Sequence, residues 1–163
     1  ADGSGVTATD IVLHNGQIVT KTGDPIVPGS TELWEDALFA QNFFINTVDD
    51  AGNVVVGGLT NSSDIERDAA LVYYGANGNA FVLARESDPV DLNGNGIFDD
   101  DAFIDIFGND DGVLAGGRYY FVASIQNASG ASIGNAFLTV LVPEPASLGM
   151  LAAVAMVGLR RRR

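Results

Sequence analysis

Apolar and polar positions alternate over short runs along most of the chain, and clusters of Gly, Asn and Asp separate the runs. A period of two puts successive side chains on opposite faces of an extended strand, so the pattern predicts strands joined by turns. The clearest case is IVLHNGQIVT, residues 11–20, where two apolar runs flank Asn15-Gly16. That pair tolerates the positive φ angles of a two-residue hairpin turn. ALVYYGANGNAFVLAR, residues 70–85, repeats the arrangement with a longer turn. Further strands are expected in NFFINTV, NVVVGGL, AFIDIF, RYYFVASI and NAFLTVLV. Only STELWEDALFAQ, residues 30–41, is compatible with a short helix, and its Trp34, Leu38 and Phe39 serve equally well as core contacts.

The runs also repeat. Asp24-Pro25 lies 64 residues before Asp88-Pro89 in similar surroundings, GNVVVGGLTN matches GRYYFVASIQ at an offset of 65, and AALVYY matches NAFLTV at 66. Repeats keep the order of elements while loops absorb insertions, so the offsets predict two units of about 65 residues, near 17–80 and 81–142. Each unit has the strand content of a propeller blade, but two blades cannot close a ring, which takes about four. The expectation is therefore an all-β fold: an antiparallel β-sandwich, or two blade-like four-stranded units, followed by a short C-terminal hydrophobic helix. The Asn-x-x-Gly punctuation, as in NTVDDAGNVVV, resembles the tandem repeats of exported bacterial proteins with an NxxGxxAF motif, with Val55-Val56 here in place of Ala-Phe.

Charge narrows the partners. Residues 1–142 carry four basic and twenty acidic side chains, a balance of −16, which repels phosphate backbones and argues against nucleic acid. Nine of the carboxylates fall between Glu86 and Asp111, where no basic residue occurs. Inside this stretch DLNGNGIFDDD places Asp91, Asn93, Asn95, the Ile97 carbonyl, Asp99 and Asp101 in the order in which a tight loop offers oxygens to Ca²⁺. The pattern resembles the calcium loops of dockerin, thrombospondin type 3 and EF-hand proteins, from which it departs at the twelfth position, Ala102. A solvated Asn/Gly/Asp turn, its side chains bonding its own backbone, is the alternative.

Catalytic motifs are sparse. The chain has no cysteine and one histidine, His14, beside the first hairpin turn, and no serine stands in a nucleophile-elbow context. The reading is a non-enzymatic protein. The pairs Tyr73-Tyr74 and Tyr119-Tyr120 each turn one ring outward in a strand, where it could stack on a sugar, so a carbohydrate-binding module of assembled blades is one alternative. A secreted glycoside hydrolase, with paired carboxylates in a cleft, is another.

The last 22 residues differ from everything before them. Pro143-Glu144-Pro145 ends strand pairing, the apolar run Ala146–Leu159 follows, and Arg160, Arg161, Arg162 and Arg163 close the chain. Those 14 apolar residues make a helix of about 21 Å, short of the ~30 Å hydrocarbon core. Arg160–Arg163 would stay on the cytoplasmic side of an inner membrane crossed transiently. The three parts in this order resemble the PEP-CTERM sorting signal, which membrane transpeptidases called exosortases process. The resemblance implies export, cleavage near Pro143-Glu144-Pro145, and delivery to the cell surface or an extracellular matrix, with polysaccharide or further copies of the chain as partners. A first residue other than Met fits an exported chain that has lost its signal peptide, as it fits any trimmed chain.

Overall fold

The computed structural model describes residues 9–36, 42–108 and 112–143. The described chain is all-β and antiparallel, without a helix: β1 (Ile11–His14), β2 (Gln17–Lys21), β3 (Phe43–Val48), β4 (Val54–Leu59), β5 (Ala69–Tyr74), β6 (Ala80–Arg85), β7 (Phe103–Phe107), β8 (Val113–Ala115), β9 (Arg118–Gln126) and β10 (Ser132–Leu141). Asn15 and Gly16 take φ of 50° and 76°, the mirror-image turn that β1 and β2 need to pair with the twist of a hairpin.

Three layers result. β3, β4, β5 and β6 form one sheet in chain order. In the second sheet β9 is central: β10 pairs along one edge, while β7 and β8 share the other edge end to end. Ile45, Val55, Leu71 and Tyr73 of the first sheet meet Ile104, Phe107, Tyr119 and Phe121 of the second in one buried core. The β1–β2 hairpin and residues 22–36 cover the opposite face of the first sheet through Val12, Ile26 and Trp34, which pack on Val54, Val56 and Val72. β4 and β5 are thus buried on both faces, which is why VVVGGL and AALVYY run apolar without alternating.

Gly57 and Gly58 let these layers close. A Cβ at Gly58 would lie 2.7 Å from the Asn42 carbonyl and 3.0 Å from the Trp34 ring, and one at Gly57 would lie 2.8 Å from Ile45 Cβ. The helix compatible with residues 30–41 does not form over its described part. Ser30–Asp36 is extended, with Leu33 bridged to Pro25 and Trp34 to Thr60. Trp34 is 1% exposed, and its indole N–H donates to the Tyr74 hydroxyl at 2.9 Å. Burial of that ring between sheet and hairpin outweighs a short helix that is marginal by itself. Residues 37–41 and the expected C-terminal helix lie outside the described residues.

The two Asp-Pro segments make the same backbone bonds. Asp24 N–H donates to Lys21 O and Asp88 N–H to Arg85 O; Trp34 N–H donates to Asp24 O and Ile104 N–H to Asp88 O; Ile26 N–H donates to Glu32 O and Val90 N–H to Ala102 O. Pro25 bridges Leu33 as Pro89 bridges Phe103, and Gly23 and Ser87 both hold positive φ, 80° and 60°. Beyond them β4 and β9 occupy like positions, each the middle of three lanes whose first edge is built from two pieces: Trp34 with β3, and β7 with β8. β5 then corresponds to β10. β5 has a second partner, β6, across the turn at residues 75–79, whereas among the described residues β10 pairs with β9 alone.

Candidate functional site

The acidic turn lies between Val90, buried under the Asp88-Pro89 bend, and Ala102, buried at the start of β7. Asp91 is its hub. Its Oδ1 accepts the N–H groups of Gly94 at 2.7 Å and Asn95 at 3.2 Å, and its Oδ2 accepts that of Gly96 at 2.7 Å. Asn93 Oδ1 takes the Asn95 N–H at 3.0 Å and Asn95 Oδ1 the Ile97 N–H at 2.6 Å. Gly94 and Gly96 supply the positive φ values that coil the backbone around Asp91.

Not all the expected oxygens converge. Asp101 turns away, its Oδ1 accepting the Ala128 N–H at 2.9 Å from the β9–β10 turn. Asp100, which the calcium pattern passes over, closes the loop instead by accepting the N–H groups of Leu92 at 2.7 Å and Asn93 at 3.1 Å and the side-chain amide of Asn93. Asp99 and Ile97 sit exposed on the outer side. Among the described residues no three acidic or histidine side chains are gathered so as to hold a metal ion. Asp91 Oδ1 is filled by two N–H groups, but Asp91 Oδ2, Asn93 Oδ1 and Asn95 Oδ1 each accept one and keep a second lone pair for a cation, fewer protein ligands than a full calcium cage.

Beside the turn runs a groove of about 570 Å³ between β6 and β10, lined by Leu83, Val90, Phe98, Phe121, Leu138 and Val140 and bordered by Asp88 and Asp91. Both carboxylates are engaged as hydrogen-bond acceptors. Asp88 accepts from the Arg67 guanidinium at 2.9 Å and the Arg85 N–H at 2.8 Å, and Asp91 is occupied by its own loop. A second cleft of about 550 Å³ holds His14, Asp24 and Tyr74, and there the Asn15 amide donates to His14 Nε2 at 2.9 Å.

The tyrosines do not present two open rings. Tyr73 and Tyr119 enter the shared core. Tyr74, on the other face of its sheet, is covered by residues 22–36 and donates its hydroxyl to Ile26 O at 2.8 Å. Tyr120 alone faces outward, stacked on Phe137 with ring centroids 6.0 Å apart.

Two charged groups stand out that neither motif nor composition singles out. Arg85 grips Glu32 with both guanidinium nitrogens, Thr60 donates to the same carboxylate at 2.5 Å, and Arg85 reaches Arg67 O at 3.1 Å. Burial works to raise the Glu32 pKa, yet the Arg85 fork and the Thr60 hydroxyl hold it below the ordinary carboxylate range. Glu86 is the opposite case. Burial, opposed by the Ala69 N–H and reinforced by Asp68 and then Asp105, pushes its carboxyl up to about 7.

Of the tail, only Pro143 lies among the described residues; Glu144, Pro145 and Arg160–Arg163 lie outside them. β10 ends at Leu141, Val142 N–H donates to Gly117 O at 2.9 Å, and Pro143 is exposed. No helix among the described residues is long and apolar enough to cross a membrane. Comparison with known proteins found no matching family, no matching curated protein and no matching solved structure.

Proposed function

We propose that the chain is an exported, non-enzymatic protein of a cell surface or extracellular matrix, delivered by an exosortase-type sorting signal at residues 143–163. The observation that carries this reading is the order Pro143-Glu144-Pro145, apolar Ala146–Leu159, Arg160–Arg163, three parts that no soluble β-domain needs. The folded part is compatible with such processing. The bond from Val142 to Gly117 is the C-terminal-most backbone hydrogen bond among the described residues, so a cut at 143–145 spares every described strand. In the groove between β6 and β10, the engagement of Asp88 and Asp91 with N–H donors also supports a binding or structural role over glycoside hydrolysis, which needs a free carboxyl facing the bound sugar.

A weak Ca²⁺ site in the 91–101 turn belongs to the same proposal and rests on the loop sequence and on Asp91 alone. With so few protein ligands its dissociation constant falls in the ~10⁻⁴–10⁻³ M range of extracellular modules.

The sorting reading is tested by expressing the full chain with and without a co-expressed exosortase and weighing the product by mass spectrometry. A loss of mass corresponding to cleavage near 143–145, abolished by Pro143→Ala together with Glu144→Ala, supports it. An intact C-terminus in both hosts overturns it.

A further inference from the structure

β10 is a ten-residue strand at the edge of its sheet among the described residues; its one bulge lies between Ser132 and Gly134, and from Gly134 to Leu141 its register is regular. From Tyr119 to Pro143 the sequence has no charged residue at all, in a domain that is otherwise strongly acidic. Val142 donates toward Gly117, and Val122, opposite Phe137, gives its carbonyl to Gly108 N–H at 2.8 Å on the far side of β9. Both bonds fix the phase of the ladder: even-numbered residues of β10 bond to β9, and Asn135, Phe137, Thr139 and Leu141 turn their N–H and C=O groups to the open edge. The same odd-numbered positions carry the outward side chains, with Phe137 72%, Leu141 63% and Ile133 53% exposed. In the equivalent place on β5, the open side is filled by β6.

We propose that the occupant of this edge is β10 of a second copy of the chain, antiparallel, about a two-fold axis at Phe137. Over the regular part of the strand the outward positions read the same from either end: Phe137 meets Phe137 and Asn135 meets Thr139, an isologous contact that pairs apolar with apolar and polar with polar. Two domains this acidic repel each other over most orientations. The uncharged span 119–143 is where they approach without placing like charges opposite one another. Pairing continues the second sheet across the axis and satisfies the outward backbone groups of Asn135, Phe137 and Thr139 on each strand. It uses nothing in the sorting segment, so it stands or falls apart from the proposed delivery route.

The chain has no cysteine, so single cysteines report the contact without background. In a hydrogen-bonded antiparallel pair opposite Cα atoms lie about 5.5 Å apart, within disulfide reach. Residue 139 and its own copy would be roughly 14 Å apart, well beyond it. Under mild oxidation of the full chain, Phe137→Cys is expected to form disulfide dimers at least ten-fold faster than Thr139→Cys. A mixture of Asn135→Cys and Thr139→Cys proteins, which keeps Phe137, is expected to cross-link although each alone does not. Equal rates at 137 and 139, no dimer at 137, or a silent 135/139 mixture would each overturn the proposal.

Discussion

Gly112 passes so close beneath Tyr119 that a Cβ on it would lie 1.8 Å from the phenol oxygen and 2.6 Å from the ring carbon that bears it. Tyr119 is fully buried, and its hydroxyl makes no hydrogen bond of normal geometry; Thr47, which donates to Gly112 O at 3.0 Å, is the polar side chain that bears on it. Here β3, β8 and β9 close one end of the shared core over an aromatic ring. Gly112→Ala forces ring or backbone to move and is expected to cost about 1–3 kcal/mol of stability. Tyr119→Phe removes a poorly satisfied buried oxygen, so it should be neutral or stabilising by about 1 kcal/mol. In that background Gly112→Ala should cost less, though not nothing, because the ring carbon remains. Denaturant unfolding of the four proteins as a double-mutant cycle checks this, and strict additivity would show that the two residues do not interact.

The Glu32–Arg85 pair ties the covering layer to the edge of the first sheet. Both side chains are mostly buried, 24% and 16% exposed, so removing one partner leaves the other charge with little water. Glu32→Gln is expected to lose about 1–3 kcal/mol. The pair also has a pH signature. Because the folded pKa of Glu32 is depressed, its contribution is present above the unfolded value and disappears as pH falls through the folded one. Wild type and Glu32→Gln should therefore converge in stability as pH falls through the depressed folded pKa, and a gap that persists in acid would assign the loss to packing instead.

Much of this was legible beforehand, in particular places. Asn15-Gly16 announces its hairpin because few residue pairs accept two positive φ values, and the 64-residue offset of Asp24-Pro25 and Asp88-Pro89 reappears as matched hydrogen bonds because proline fixes φ in both bends. The third layer was not legible. Trp34 stands among Glu32, Glu35 and Asp36, and nothing local shows that its ring lies under a hairpin twenty residues upstream or that it takes Tyr74 out of solvent. The order of oxygens in the acidic turn was readable, but their directions were not. Asp101 is drawn to Ala128 by a turn 27 residues away, and Asp100 takes the loop-closing role.

Glu86 shifts stability in the opposite sense to Glu32. Its folded pKa of about 7 lies above the ordinary 4.5, so its favourable contribution is complete below about pH 4.5 and is lost as pH rises through about 7. The full linkage is reduced by water at this half-buried site, leaving about 1–2 kcal/mol. Glu86→Gln should be more stable than wild type at pH 8 and similar to it at pH 4.5. Thermal melts across that range check the sign, and a wild-type stability that climbs from pH 5 to pH 8 relative to the variant would refute it.

The acidic turn has a structural and an ionic component that one substitution separates. Asp91→Ala removes the acceptor for the N–H groups of Gly94, Asn95 and Gly96, so it should lower the melting temperature by a few degrees even in EDTA. Ca²⁺ at 10 mM, against a dissociation constant near 1 mM, adds about 1.4 kcal/mol to the folded state. That corresponds to a rise of roughly 3–6 °C for a domain of this size. Wild type should show the rise, Asp91→Ala should not, and Mg²⁺ should not substitute, because it resists giving up its water for a loop with so few protein ligands. If wild type melts at the same temperature in Ca²⁺ and in EDTA while Asp91→Ala still melts lower, the turn is held by its own side chains alone and the Ca²⁺ component of the proposal is removed.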